Sequence, residues 1–448
     1  MLFIVCISLL LYAFYEYITG YKEEGALIFF FFLTDGFQFL NSEWIPIKYR
    51  DFAYIYLIGV CLLNLFSENR KFFKPDNRIF RITTIIGIYI TIEFFRTIIF
   101  KEESFSFALA NYRTYLPFFS FFLVQELKSS EVIFLFKRIT LLTILGIILF
   151  DIQPLLDIKT LQHASITEEN GTLRYRNIPY LTYFYLIYAT ILFSLKNIKS
   201  ILLLLLSLIA IILTQHRAII ISYVCCMFIY FALSRKTTKI IYVATIGIFV
   251  TLIFGDALLS RLERKDSDSS TWDDIENVIQ LDYSNAVRSN YENEPGGNFS
   301  FRVLLLMERF QYLTNNTEQL LFGIGTRHED SPKTKKQFDF ILGSMRRSGD
   351  IGQISSGDLV WVNPLMRFGI IGIGILLYFS WLTLTFLYKN RKNSNIAMGS
   401  FLFYLFLILI SFKNDHLYGE MQLFFIFMLI QYINTSKNKY ISKSTNNK

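Results

Sequence analysis

The sequence predicts an all-α polytopic membrane protein of about 12–13 transmembrane helices with one large extracytoplasmic loop. Three observations carry that prediction. The 448 residues are 53% hydrophobic and 17% aromatic, more apolar material than a soluble protein of this size can cover with polar surface. Apolar runs of about 17–25 residues recur from end to end, each long enough to cross a bilayer as a helix. The basic residues gather in short loops, as they do on the cytoplasmic side of membrane proteins. These are ENRKFFKPDNRIFR from 68, LFKR to Arg138, KNIK at 196–199, SRKTTK at 234–239, YKNRKNSN at 388–395 and the tail SKNKYISKSTNNK. The net charge of +8 is thereby a topology signal, and no nucleic-acid motif accompanies it.

The first run, LFIVCISLLLYAFYEYI, lacks a basic leader and a small-residue cleavage pattern, so it reads as a retained helix. Further spans are expected near 25–41, 52–66, 82–100, 105–125, 132–151, 177–195, 199–214, 217–234, 239–258, 358–388, 396–412 and 418–433. The span at 105–125 contains NYRTYLP, whose arginine and proline predict a broken or partly re-entrant segment. Alternating the spans around the basic loops puts the tail inside. It puts outside the turn at Gln215–Arg217, a segment near 153–176 and the stretch from about 260 to 357. The chain then divides into an N-terminal helix bundle (1–258), the large periplasmic loop (259–357), C-terminal transmembrane helices (358–433) and a basic cytoplasmic tail (434–448).

A loop of that length between spans is rarely passive. It starts polar and acidic, then becomes FSFRVLLLMERFQYLTNNTEQLLFGIG, which reads as one amphipathic helix ended by Gly323–Gly325. Arg302 and Arg309, seven apart, share a face of it and are expected to be exposed. No internal repeat is seen, unlike many secondary transporters. The cysteines (Cys6, Cys61, Cys225 and Cys226) lie inside oily runs without ligand spacing and read as packing residues. No Asp-x-Asp or His/Cys cluster with convincing metal spacing lies in a membrane-facing position, so no metal and no cofactor is expected.

Ionisable groups inside a bilayer are costly and often functional. Glu93 and Arg96, three apart, can pair on one helix as an internal ion pair or as part of a site. Asp35 precedes Gly36 and reads either as the cap of a break or as a substrate contact. Arg113 reads as a substrate contact or as a side chain reaching the interface. His216 sits at a membrane edge, where an interfacial role competes with a functional one. Arg217 opens a helix on the outer side, where positive charge is normally scarce. There the helix N-terminus favours an anion and a guanidinium fork suits phosphate, with lipid phosphate as the competing partner.

Several stretches, taken in order, resemble the O-antigen polymerases and O-antigen ligases of bacterial surface polysaccharide assembly. LTQHRAIIIS is similar to the family's T-x-S-R-x helix start before the large loop. FRVLLLMERFQYLTNNTEQLLFGIG is similar to its arginine–helix–GxG segment. SSGDLVWVNPLMRFGIIGIGILLY is similar to the HN-x-x-L…G-(I/L)-I-G start of the next helix. The likeness spans roughly 200 to 385, and the N-terminal half only in hydropathy. Counted back from Gly369, the family's frequent histidine falls at Asp358.

The resemblance implies a metal-independent glycosyltransferase of the bacterial inner membrane. An acceptor sugar hydroxyl attacks C1 of a polyprenyl-diphosphate-linked oligosaccharide, and the lipid diphosphate leaves. Arg217 would hold the diphosphate, helped by Arg302 or Arg309. Arg113, His216 and Arg367 would bind substrate, Asp358 would be the base or orient the acceptor, and Trp361 would stack on a sugar or anchor at the interface. A chain-length regulator and a flippase in the same membrane are the implied partners. Polymerase, joining lipid-linked repeat units, is favoured because Asp358 replaces the histidine that ligases carry. Ligase, with transfer to lipid A–core, and transporter or flippase of lipid-linked glycan are the alternatives.

Overall fold

The computed structural model describes residues 2–445 except 41–44, 46, 68–71, 76, 157–160, 162–164, 170–171, 180, 195, 215, 235–297, 344–350, 355–358 and 414–415. Helices follow the apolar runs. The first are α1 (Leu2–Thr19), α2 (Lys22–Leu33), α3 (Tyr49–Phe66) and α4 (Arg78–Ile99). Next come α5 (Phe105–Tyr112), a 3-10 stretch (Arg113–Ser120) and α6 (Phe121–Gln125), then α7 (Ser129–Leu156), α8 (Thr182–Leu192), α9 (Ile198–Thr214) and α10 (Arg217–Ser234). The later part holds α11 (Asn298–Thr314), α12 (Thr317–Phe322), α13 (Pro332–Gln337), α14 (Val362–Asn390), α15 (Asn395–Ile410) and α16 (Glu420–Thr445).

The chain is mostly helical, and one feature departs from the all-α expectation. An antiparallel hairpin pairs β1 (Ser165–Glu169) with β2 (Thr172–Arg176) between α7 and α8. Its strands are short and lie in polar sequence, so no apolar alternation announced them.

Among the described residues α1, α3, α4, α7 as far as Pro154, and α14 are long and apolar enough to cross a membrane. The apolar helices α8, α9, α10 and α15 are shorter. Large apolar side chains such as Ile4, Phe66, Leu141 and Trp381 lie exposed on the outside of the bundle. An apolar outer face of that kind marks a membrane-embedded protein. Among the described residues five helices are of full length, against the 12–13 spans expected over the whole chain. The run at 25–41 is cut at Leu33, because Asp35, Gly36, Phe37 and Gln38 all take positive φ. Thr34 Oγ1 secures the end on the carbonyl of Phe30 at 2.7 Å. The expected span at 239–258 lies outside the described residues.

The core of the bundle is α16. Every residue from Met421 to Ile430 is buried, as a helix apolar on all sides must be. Its rings interlock with three neighbours: Phe424 stacks on Phe30 at 5.4 Å, and Phe427 meets Phe121 at 6.1 Å and Phe379 at 6.3 Å. The expected break at 105–125 is present as the 3-10 stretch, with Pro117 inside it, packed against α16 and α4.

The described part of the large loop folds onto the start of α14. Leu304, Leu313, Ile324, Phe338 and Phe340 form a second apolar core with Leu359, Val362, Leu365 and Met366. This core does not stop at residue 357; it continues into the membrane helix that follows. The loop helix is not continuous as expected. It ends at Thr314 and restarts at Thr317, because the Asn316 side chain accepts from the amides of Glu318 at 2.9 Å and Gln319 at 3.4 Å.

Arg309 is not the exposed residue the helical pattern suggested. It is 1% exposed, lies 4.5 Å over the Phe340 ring, pairs with Glu308 and donates to the Gly352 carbonyl at 3.3 Å. Glu308 also accepts from the amides of Ile341 at 2.8 Å and Leu342 at 3.3 Å. Burial raises the Glu308 carboxyl above its ordinary range, and Arg309 opposes that rise. Arg309→Ala strands a buried carboxylate, so it is expected to destabilise the loop core by roughly 3–5 kcal/mol. Limited proteolysis at matched protein load checks this: a cleavage rate equal to wild type would remove Arg309 from the core's support.

Candidate functional site

A cavity of about 530 Å³ opens where the start of α3, the middle of α4, the 3-10 stretch, the start of α14 and the turn before α16 converge. That volume is within the usual range of small-molecule sites.

The arginine in this cavity is placed by a broken helix. Gly369 has φ 61 and ψ −161 inside α14, so the helix turns there and leaves carbonyls to be satisfied from elsewhere. Three consecutive ones are taken up by neighbours. The Ile324 amide donates to the Met366 carbonyl at 2.8 Å, the Gly325 amide to the Arg367 carbonyl at 3.0 Å, and Tyr89 Oη to the Phe368 carbonyl at 2.9 Å. The Gly–Ile–Gly run that the sequence marked as a helix end is thus a buckle on α14. Gly323 has φ +71, and a Cβ there would lie 2.3 Å from the Arg367 carbonyl carbon. Backbone meets backbone, which only glycine allows.

Arg96 fixes the buckle from α4. It bonds Glu93 at 2.7 Å and donates to the carbonyls of Phe322 and Gly323, each at 3.0 Å. It also reaches Glu318 at 2.7 Å. The Glu93–Arg96 pair therefore holds the loop to the bundle. Lys101, which donates to Glu318 at 2.8 Å, holds that carboxyl below its ordinary value, and Arg96 adds to the effect. A depressed carboxyl contributes stability above its unfolded pKa and loses it as pH falls through the lower folded value. Loop docking through Glu318 is expected to persist at neutral pH and to weaken only below the ordinary carboxylate range. Accessibility of a thiol introduced at Thr317, followed against pH, checks this; loosening already near neutrality would contradict it.

With the helix turned, Arg367 is 6% exposed, lines the cavity and donates to Tyr115 Oη at 3.1 Å. Tyr115 in turn meets Phe368 edge-on at 4.9 Å. Across the cavity, Arg50 at the start of α3 bridges Asp35 at 3.4 Å and Glu420 at 3.1 Å. Asn111 also lines the wall; it is 3% exposed, and its amide nitrogen has no hydrogen-bond partner among the described residues. A buried donor facing a cavity suits a ligand oxygen. The site therefore offers the Arg367 guanidinium, a donor amide, the Arg50–carboxylate cluster and aromatic walls, which suit a polar molecule with an anionic group and sugar-like hydroxyls.

The sequence candidates fall in different places. Arg367 lines this cavity. Arg113 lies next to its wall and pairs with Asp51 at 3.2 Å. Trp361 stands behind it, donating to Ser411 Oγ at 3.1 Å and meeting Tyr418 edge-on at 5.9 Å. Arg302 and Arg309 are not in its lining. His216 immediately precedes α10, its carbonyl accepting from the Ile219 amide at 3.1 Å, and it is not in the lining either. Arg217 is the first residue of α10, and its side chain lies outside the described residues, as does the whole of Asp358. Arg50, Asn111 and Glu420 were missed. Arg50 and Glu420 looked like ordinary helix-end residues, and Asn111 lay in the NYRTYLP stretch read only as a break; the available signal was polar groups at the ends of several spans on one side.

No group of His, Cys, Asp and Glu that could hold a metal occurs among the described residues. No model of a known protein family and no curated protein matches the chain.

Proposed function

We propose that this is a membrane glycosyltransferase acting on a polyprenyl-diphosphate-linked oligosaccharide, and that it polymerises lipid-linked repeat units. The observation that carries the reading is the cavity beside the α14 kink, with Arg367 and Arg50 on its walls and the large loop buckled over the same helix. Lys74 and Lys128 in connecting segments, and Arg78 and Arg81 in the first turn of α4, lie at the other end of the bundle, where Gln125 bonds the Phe72 carbonyl and Gln431 bonds the Leu127 carbonyl. By the distribution of positive charge that end faces the cytoplasm, so the cavity faces outward. Lipid diphosphate carried to the outer leaflet would meet Arg367 there, and Arg217 at the start of α10, which the distribution of positive charge puts on the same side. The diphosphate gathers charge as the C1–O bond breaks, and fixed guanidinium groups stabilise it without reorganisation.

Deleting the gene and running the surface glycan on a gel tests the reading. Loss of the ladder with one repeat unit still attached to core supports polymerase. Loss of all attached glycan with long lipid-linked chains accumulating supports ligase. Lipid-linked repeat units trapped on the inner leaflet support a transporter, and an unchanged ladder rejects all three.

A further inference from the structure

We infer that Glu420 is the general base that deprotonates the acceptor hydroxyl; this rests on the glycosyltransferase reading above. The transfer needs a proton acceptor beside the diphosphate site. Glu420 is the first residue of α16 and lines the same cavity as Arg367 and Asn111, its side chain only 14% exposed. Arg50 holds its carboxylate at 3.1 Å, which fixes its place. The following residues of α16 are the core of the bundle, so the carboxylate stands at the start of a helix buried from Met421 to Ile430. The buried Asn111 amide, without a partner among the described residues, supplies a donor for a sugar oxygen in the same space.

In the step so assigned, the acceptor oxygen forms a bond to C1 of the donor sugar. The bond between C1 and the phosphate oxygen breaks, and the lipid diphosphate leaves with its electron pair. The hydroxyl proton passes to Glu420 and then to water, so the products are the lengthened glycan and free lipid diphosphate. Arg367 takes the leaving group, and the two roles sit on different helices of one cavity. The charged and titratable groups around Glu420 are Arg50 and Tyr54 on α3, Asp35 after α2, Arg113 on the 3-10 stretch, and His416 and Tyr418 on the preceding turn; Arg367 on α14 and His328 and Glu329 before α13 line the same cavity, Glu329 already accepting from the amides of Gln353 and Ile354.

The test uses the full-length protein in liposomes with a purified polyprenyl-diphosphate repeat unit, and measures kcat and donor KM against pH. Glu420→Gln is expected to lower kcat by roughly 10²–10⁴-fold with donor KM held, and to abolish the fall in rate on the acid side, since the base must be ionised to act. Glu420→Asp is expected to recover part of kcat. Should the glutamine variant not reach the membrane, the aspartate variant carries the test, because shortening the arm must lower kcat and leave KM in place. A glutamine variant with wild-type kcat, a retained acid limb, or an acid limb removed instead by His416→Ala overturns the assignment. Wild-type protein inactive on every lipid-diphosphate donor overturns the glycosyltransferase reading and the base with it; an active wild type with an indifferent Glu420 overturns the base alone.

Discussion

Arg367→Ala is expected to lower transfer from a lipid-diphosphate donor by roughly 10- to 10⁴-fold, with Arg367→Lys falling nearly as far. Each charge-assisted hydrogen bond to the donor is typically worth about 1.5–3 kcal/mol, and one or two of them account for that range. Lysine keeps the charge and loses the planar fork, so it cannot replace a bidentate grip. Arg367 also bonds Tyr115 at 3.1 Å, which makes Tyr115→Phe the control for lost packing. If phenylalanine at 115 costs as much as alanine at 367, the arginine acts by propping Tyr115. Full activity in Arg367→Lys would mean that this wall needs only a positive charge.

The second large effect is expected at the buckle. Gly323→Ala should release the loop from α14. Alanine at φ 71 and ψ −169, a conformation essentially reserved for glycine, costs roughly 1–3 kcal/mol by itself. Here the added carbon would also lie 2.3 Å from one backbone atom and 2.5 Å from two others, none of which can swing aside as a side chain would. The carbonyls of Met366 and Arg367 then lose the Ile324 and Gly325 amides, and the α14 kink loses its support. Expected results are rapid proteolysis within α11–α13, loss of transfer activity and near-normal insertion of the bundle. Gly374→Ala is the control: it lies on α14 past the kink, nothing stands within 4 Å of its Cβ position, and helix propensity favours alanine there. Equal proteolysis of the two variants would separate the loop from the buckle.

The sequence by itself determined the helices, because apolar runs bounded by polar and basic loops admit little else in a membrane. The short connection from Thr214 to Arg217 and the break around Pro117 were readable for the same local reasons: run length and a proline. Local pattern also marked Gly323–Gly325 as a stop and picked out Arg367. It could not show that the stop grips another helix, since the partner carbonyls lie more than 40 residues on and the glycine at 369 that exposes them sits in an apolar run that reads as unbroken. Nor could it distinguish Arg309 from an exposed arginine. Helical spacing shows which residues share a face, while burial depends on whether Phe340 and Gly352 fold back over that face. Arg50 and Glu420 carry no mark in the sequence, for each is an ordinary residue at the end of a helix, and Asn111 was marked only as part of the NYRTYLP break. They became a site only when α3, the stretch around the 3-10 helix and α16 brought those ends together around one cavity. That convergence is set by packing between distant segments, not by periodicity within any one of them.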